Sequence, residues 1–273
     1  MYISKYYIPS PPLNQFLESF FYYSGYQPEH MVDRFLPDGN IQMIFDFTDY
    51  PKYIYDNHTL KEIQACKNVW FSGFRTEPIT IPSGKESEML IVVFRKGRSY
   101  PFVYEPLHVL TNVVVDAELV LKNNILDLRE ALMEQPTPEL KFALLESELM
   151  NHYNNEMAVN PFVDYAISEI LSTPHHLSLK ALYDKVGYSQ KHLIKLFKDH
   201  VGVTPKEFLK VIRFQKAILE LENFGSVNWI GIADECGFYD QSHFIADFKN
   251  YSGFTPKEYM ELKGENLNYV PIR

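Results

Sequence analysis

Along the first half of the chain, apolar residues come in short runs bounded by turn signals. Along the second half they recur every three or four residues. Leu13, Phe16, Leu17, Phe20 and Phe21 fall at the three-and-four spacing and predict a short amphipathic helix. Leu36-Pro37-Asp38-Gly39-Asn40 is a turn signal. Residues 41–47 then predict a strand rich in β-formers, with further strands at 53–55, 69–74, 79–81 and 89–95, and 100–103 as one more candidate. Short strands separated by turns indicate a small β-sandwich or barrel. Beyond Pro106 the pattern turns helical. Residues 125–133 and 139–153 predict helices split by Pro136-Thr137-Pro138, which either cap the sheet or form a self-association surface. Residues 157–161 read as a domain boundary, followed by a helix over 162–171.

The stretch 187–208, GYSQKHLIKLFKDHVGVTPKEF, returns altered as 237–259, GFYDQSHFIADFKNYSGFTPKEY. From Leu193 to Phe208 the offset is 51 residues, while Gly187 and Gly237 are 50 apart, so the second copy holds one extra residue after its turn. A repeat at fixed offset is the mark of a duplicated unit. In the first copy Leu179, Leu182, Tyr183 and Val186 give one buried helical face, and Gly187 ends that helix. Ser189 caps the next helix, which buries Leu193, Leu196 and Phe197 and shows Gln190, Lys191, Ile194, Lys195 and Lys198 on its other side. Thr204-Pro205-Lys206-Glu207 and Thr255-Pro256-Lys257-Glu258 are capping boxes with proline at the first helical position. Helix, glycine turn and a second helix with a long polar face make the helix-turn-helix unit of DNA readers.

The paired pattern resembles the C-terminal DNA-binding domain of AraC-family transcription regulators, over about residues 161–262. In the first copy the residues that carry the resemblance are Gly187, Tyr188, Ser189, His192, Leu193, Phe197, Lys198, Gly202, Thr204, Pro205 and Arg213-Phe214-Gln215-Lys216-Ala217. In the second they are Ile232-Ala233, Gly237, Phe238, Asp240, Ser242, Phe244, Phe248, Lys249, Gly253, Thr255, Pro256 and Tyr259. The resemblance implies that Lys191, Ile194 and Lys195, beside Gln190, reach base edges. A lysine donates to guanine O6 and N7, and an aliphatic side chain meets a thymine methyl. Lys198 is placed for phosphate, which positions without specifying. The second-copy counterparts are Gln241, Ser242, His243, Ile245 and Ala246, with Lys249 after them. Here the sequence departs from the family: Ala246 stands where arginine is usual, and Asp247 follows it. Arg213 reads as either an ion-pair partner or a phosphate ligand, with the structural role favoured. The N-terminal half resembles the regulatory domain of one branch of the same family, through Leu36-Pro37-Asp38-Gly39, Gly73 with Pro78, Ile91-Val92-Val93-Phe94 and residues 107–112. That resemblance implies a cupin-like barrel that senses a small molecule or dimerises.

The expected fold class is α+β: a small β-barrel or cupin-like domain with helices over 1–156, then an all-α domain over 157–265. The latter holds two helix-turn-helix units, at about 178–200 and 228–251, joined by a long helix. Charge sharpens this picture. The 273 residues carry a net −9, yet residues 178–218 hold nine basic side chains against three acids, and 219–261 hold two against eight. The first unit attracts a phosphate backbone and the second partly repels it. Trp70, Phe94, Tyr100 and Phe102 are candidates for lining an effector pocket, although aromatics at strand spacing are more often core. His30, His58 and His108 are scattered, and the adjacent His175-His176 pair makes a poor chelate, so neither a metal nor any other cofactor is expected. Two cysteines far apart, Cys66 and Cys236, give no disulfide framework and read as buried thiols. No signal peptide and no membrane span are evident, so a cytoplasmic protein is expected. No phosphate loop or nucleophile elbow is present, and no enzymatic activity is expected. The expected partner is double-stranded DNA, with RNA polymerase, a small-molecule effector and a second copy of the chain as further candidates. The rival reading is a small-molecule-binding or enzymatic cupin whose helical tail is an interaction module.

Overall fold

In the computed structural model, which describes residues 1–103, 105–121, 124–152, 160–187, 189–223, 231, 236–238 and 240–272, the N-terminal half is two antiparallel sheets. The strands are β1 (Ile3–Tyr7), β2 (Leu17–Ser24), β3 (Val32–Phe35), β4 (Gln42–Asp46), β5 (Lys52–Tyr55), β6 (Glu62–Cys66), β7 (Val69–Ser72), β8 (Ile79–Pro82), β9 (Glu88–Phe94), β10 (Val114–Asp116) and β11 (Tyr269–Ile272). One sheet has the order β1-β2-β9-β4-β7-β10 and the other β11-β3-β8-β5-β6. Of sandwich and barrel it is the sandwich. Phe35, Ile54, Cys66 and Ile79 of the smaller sheet pack on Ile44, Trp70, Met89, Ile91 and Val114 of the larger.

The larger sheet is buried on both faces. Successive residues point to opposite sides. Phe20, Tyr22, Met43, Phe45, Leu90, Val92 and Phe94 therefore face the helices, and Phe21, Tyr23, Ile44, Met89 and Ile91 face the other sheet. This corrects the helix expected from residue 13 onward. Only Leu13–Gln15 turns, as a 3-10 helix, and Leu17–Ser24 is strand β2. With both faces apolar the two-residue period is masked, and the aromatic run 20–23 prefers a pleated surface. The candidate strand at 100–103 is likewise a 3-10 turn, Tyr100–Phe102, with Pro101 inside it.

The helices are α1 (Ile125–Met133), α2 (Pro138–His152), α3 (Pro161–Ser172), α4 (Leu179–Val186), α5 (Gln190–Val201), α6 (Pro205–Asn223), α7 (Gln241–Ser252) and α8 (Pro256–Leu262). The helices α1 and α2 cover the outer face of the larger sheet, where Leu132, Phe142, Leu145 and Leu149 join its core. That core continues without a break into α3, α5, α6 and α7. The boundary expected at 157–161 and the first helix of the second unit, with Tyr188, Ile232 and Ala233, fall mostly or wholly outside the described residues. After α8 the chain returns to the sheets: β11 pairs with β3, Tyr269 opposite Phe35 and Ile272 opposite Val32. Both cysteines are buried free thiols. Among the described residues no helix is long and apolar enough to cross a membrane.

Candidate nucleic-acid interface

Helix α5 is held at both ends by its own sequence. The Ser189 hydroxyl accepts from His192 N–H at 3.3 Å, and Gly202 ends the helix with φ of 102°. Such a φ is open to glycine without the penalty a Cβ brings. Leu193, Phe197 and Val201 recur every four residues and are buried, while Gln190, Lys191, Lys195 and Lys198 are exposed and Ile194 is half-buried. Among the described residues the three lysines form no ion pair, so their charge faces solvent. The capping box after the helix is made: Glu207 N–H donates to Thr204 Oγ1 at 3.2 Å, and Thr204 N–H to the Glu207 carboxylate at 2.8 Å.

Helix α7 repeats this framework. The Asp240 carboxylate accepts from His243 N–H at 2.8 Å, Phe244 and Phe248 are buried, and Gly253 closes the helix with φ of 80°. Ser242, His243, Ala246 and Lys249 are exposed; Gln241 and Ile245 are half-buried. The electrostatics differ. Asp247 lies 3.2 Å from Lys210 of α6 and 3.5 Å from His243. The acid that sequence reading counted against DNA is thus partly neutralised, and it also ties up a lysine of the connecting helix. Nothing in the linear order signals this pair, since its members are 37 residues apart. Arg213 of α6 donates to the Pro174 carbonyl at 2.8 Å; among the described residues it makes no ion pair, so its structural partner is a backbone carbonyl and not the acid expected.

The sheet domain touches both units at matching points. Thr111 Oγ1 donates to the Gly202 carbonyl at 2.6 Å, and His108 and Asp199 approach to 3.2 Å. In the second unit Arg34 of β3 reaches the equivalent glycine, Gly253, and lies 5.0 Å from the Phe254 ring centre. Between them Gln215 of α6 donates to the Pro37 carbonyl at 2.7 Å. The Tyr100 and His200 rings meet with centroids 4.0 Å apart, tilted by 35°, and burial pulls that imidazole below its ordinary pKa.

The four aromatics considered as effector residues separate. Phe94 and Phe102 line one cavity of about 360 Å³. Trp70 is buried between the sheets, and Tyr100 belongs to the contact with α5. Among the described residues no group of three or more His, Cys, Asp or Glu could hold a metal ion.

Residues 182–261 match the family described as a helix-turn-helix domain, and residues 5–116 match a domain of unknown function, DUF6597. An uncharacterized HTH-type transcriptional regulator of Haemophilus influenzae is 30% identical over 95 residues, covering 34% of this chain and 32% of that protein. One of Staphylococcus aureus is 27% identical over 158 residues, covering 56% of this chain and 20% of that protein. The chain thus spans about a third or less of the length of these two relatives. Among solved structures, apo ToxT from Vibrio cholerae aligns over 89% of this chain and 97% of its own, with 13% identity and a TM-score of 0.46.

Proposed function

Residues 182–261 form a helix-turn-helix domain of the AraC type, and on that premise we propose that this protein is a sequence-specific DNA-binding transcription regulator whose first unit dominates contact with DNA. The observation that carries the reading is the exposed lysine face of α5, presented by a helix capped at both ends and anchored by Leu193, Phe197 and Val201. Lys191 and Lys195 read base edges, Ile194 meets a thymine methyl, and Lys198 holds a phosphate. On α7, Gln241, Ser242, His243 and Ile245 contribute fewer polar contacts, and Lys249 supports the backbone. The two units enter successive major-groove segments about 34 Å apart on one face of the duplex. The regulator works in the cytoplasm as a binding protein rather than an enzyme. RNA polymerase, a second copy of the chain and a small-molecule effector are its further partners. An effector acts only through its differential affinity for two conformations.

The test is selection of bound sequences from random duplex DNA, followed by affinity measurements on the selected site. Wild type is expected to prefer that site over a scrambled duplex by about a thousandfold or more. Affinity should fall with salt at a log–log slope of about −0.9 per phosphate neutralised. Equal affinity for the selected and scrambled duplexes would overturn the reading.

A further inference from the structure

The two sheets of the sandwich hold different parts of the helical half. The larger sheet seats the first unit, through the connections that leave its strands. Gly97, past β9, lies against Ile167 of α3 and Val201 of α5, so closely that a Cβ there would come 2.5 Å from the Ile167 side chain. Thr111, ahead of β10, donates to the Gly202 carbonyl where α5 ends. Phe74, past β7, has its ring centre 5.8 Å from that of Phe208, in the first turn of α6.

The smaller sheet seats α7 and α8. Arg34 of β3 is buried, and its Nη1 lies against Gly253, where α7 ends. A guanidinium there complements the negative end of the helix. Its other nitrogens are committed to the same sheet: Nε donates to Thr80 of β8 at 3.4 Å, and Nη2 to the Asn57 carbonyl in the turn between β5 and β6. The main chain makes a second tie. After α8 the tail returns as β11 and pairs with β3 itself, with Val270 opposite Arg34. Tyr259 of α8 donates to the Leu267 carbonyl at 2.9 Å, so the tail is fastened at both ends. One strand thus receives α7 through a side chain and α8 through a ladder. Between the two seats the turn 36–40 crosses from β3 in one sheet to β4 in the other, and meets α6 through Pro37 and Gly39.

We infer that the sandwich is a spacing frame for the two reading helices: the larger sheet fixes α5, the smaller fixes α7, and Arg34 is the positioning residue that sets the separation and angle at which two DNA subsites are bound together. Two linked modules gain from joint engagement only where the geometry allows it, and a rigid link confines that gain to one spacing. A slide of one sheet on the other moves α7 and α8 relative to α5. The role in DNA spacing rests on the DNA-binding reading; the mechanical tie does not.

The experiment compares wild type and R34A on three duplexes: the selected site, the same site with two base pairs inserted between its subsites, and one carrying the first subsite alone. The insertion turns the second subsite by about 70° and moves it by about 7 Å. Wild type is expected to lose about threefold or more on the inserted site, and R34A less than about 1.5-fold, because a loosely tied second unit follows its subsite. R34A should bind the first-subsite duplex as wild type does, which a general loss of folding would not leave intact. Deleting residues 267–273 removes the other tie and should flatten the preference in the same way, so that it decides the matter if R34A fails to melt near wild type. A wild type indifferent to the insertion, a variant that discriminates as sharply as wild type, or weakened binding of R34A to the first subsite overturns the role in spacing. A second arm uses no DNA. Spin labels at K180C on α4 and E261C on α8, both exposed, report the distance between the units, against a labelling control on the chain with only its two buried thiols. R34A should give a distribution about 1.5 times as wide or more. An unchanged width overturns the frame itself, whereas a widened one in a protein that selects no DNA sequence keeps the frame and sinks the DNA-binding reading.

Discussion

In the first helix-turn-helix unit α5 ends at Gly202, and in the second α7 ends at Gly253, 51 residues later. Both glycines are left-handed, both helices bury a phenylalanine pair or its equivalent one turn apart, and both lead into a threonine capping box. The faces turned away from the core differ. The first shows three lysines free of ion pairs among the described residues, and the second shows a serine, a histidine and an alanine beside an aspartate already engaged with Lys210 and His243. Duplication thus preserved what folding needs, the caps and the buried stripe. It left the exposed face to diverge, because surface substitutions away from caps and core change stability little. Helix α7 is therefore as well capped and anchored as α5 and, on the proposed reading, less able to hold phosphate or guanine.

The largest expected effect breaks this comparison directly. Replacing Lys191 and Lys195 together by alanine should weaken binding to selected DNA by about a hundredfold, whereas Gln241→Ala with His243→Ala should cost under tenfold; each good base contact is worth about 1–3 kcal/mol. Equal losses would contradict the asymmetry. Next come the paired glycines. Gly202→Ala and Gly253→Ala should each destabilise by about 1–2 kcal/mol in chemical denaturation, from left-handed strain and crowding. An added Cβ would come 3.3 Å from Thr111 Oγ1 and the Leu107 carbonyl in one case and 2.7 Å from Arg34 Nη1 in the other. No loss at Gly253 would show that the second grip is loose.

Asp247→Asn should then raise DNA affinity by about threefold in low salt, since it removes a negative charge and releases Lys210. Unchanged affinity would place both groups away from the phosphates. The smallest effect concerns the turn docked on α6. Burial pushes the Asp38 carboxyl up to about 6. An acid with a raised folded-state pKa holds its proton longer folded than unfolded, so stability falls as pH rises from about 4 to 6. Asp38→Asn should therefore melt a few degrees above wild type at pH 8 and together with it at pH 4. Identical curves at both values would remove Asp38 from the account.

The duplicated unit was legible because capping boxes, glycine stops and a three-and-four apolar stripe are local signals, and the structure places Ser189, Thr204 and Thr255 at their helix starts. Strands β4, β7, β8 and β9 were legible as β-branched and aromatic runs. What failed was non-local. Strand β2 was read as helix because both its faces are buried. The tail strand β11 was missed because Tyr269-Val270-Pro271-Ile272 is short and its partner β3 lies over 200 residues away in sequence. Its signal was present in the apolar tail after α8. At the candidate interface the exposed lysines were foreseeable from helical phase. The Lys210–Asp247 pair and the Arg34 and Thr111 grips were not, since they join residues that only the fold brings together.

Interference by methylation at guanine N7, an atom that faces the major groove, is the most direct check on the central claim that α5 enters that groove. On selected DNA the account predicts a cluster of guanines whose methylation blocks wild-type binding, and the loss of that cluster with Lys195→Ala while Gln241→Ala leaves it in place. A pattern indifferent to Lys195→Ala, or an absence of major-groove interference, would contradict it.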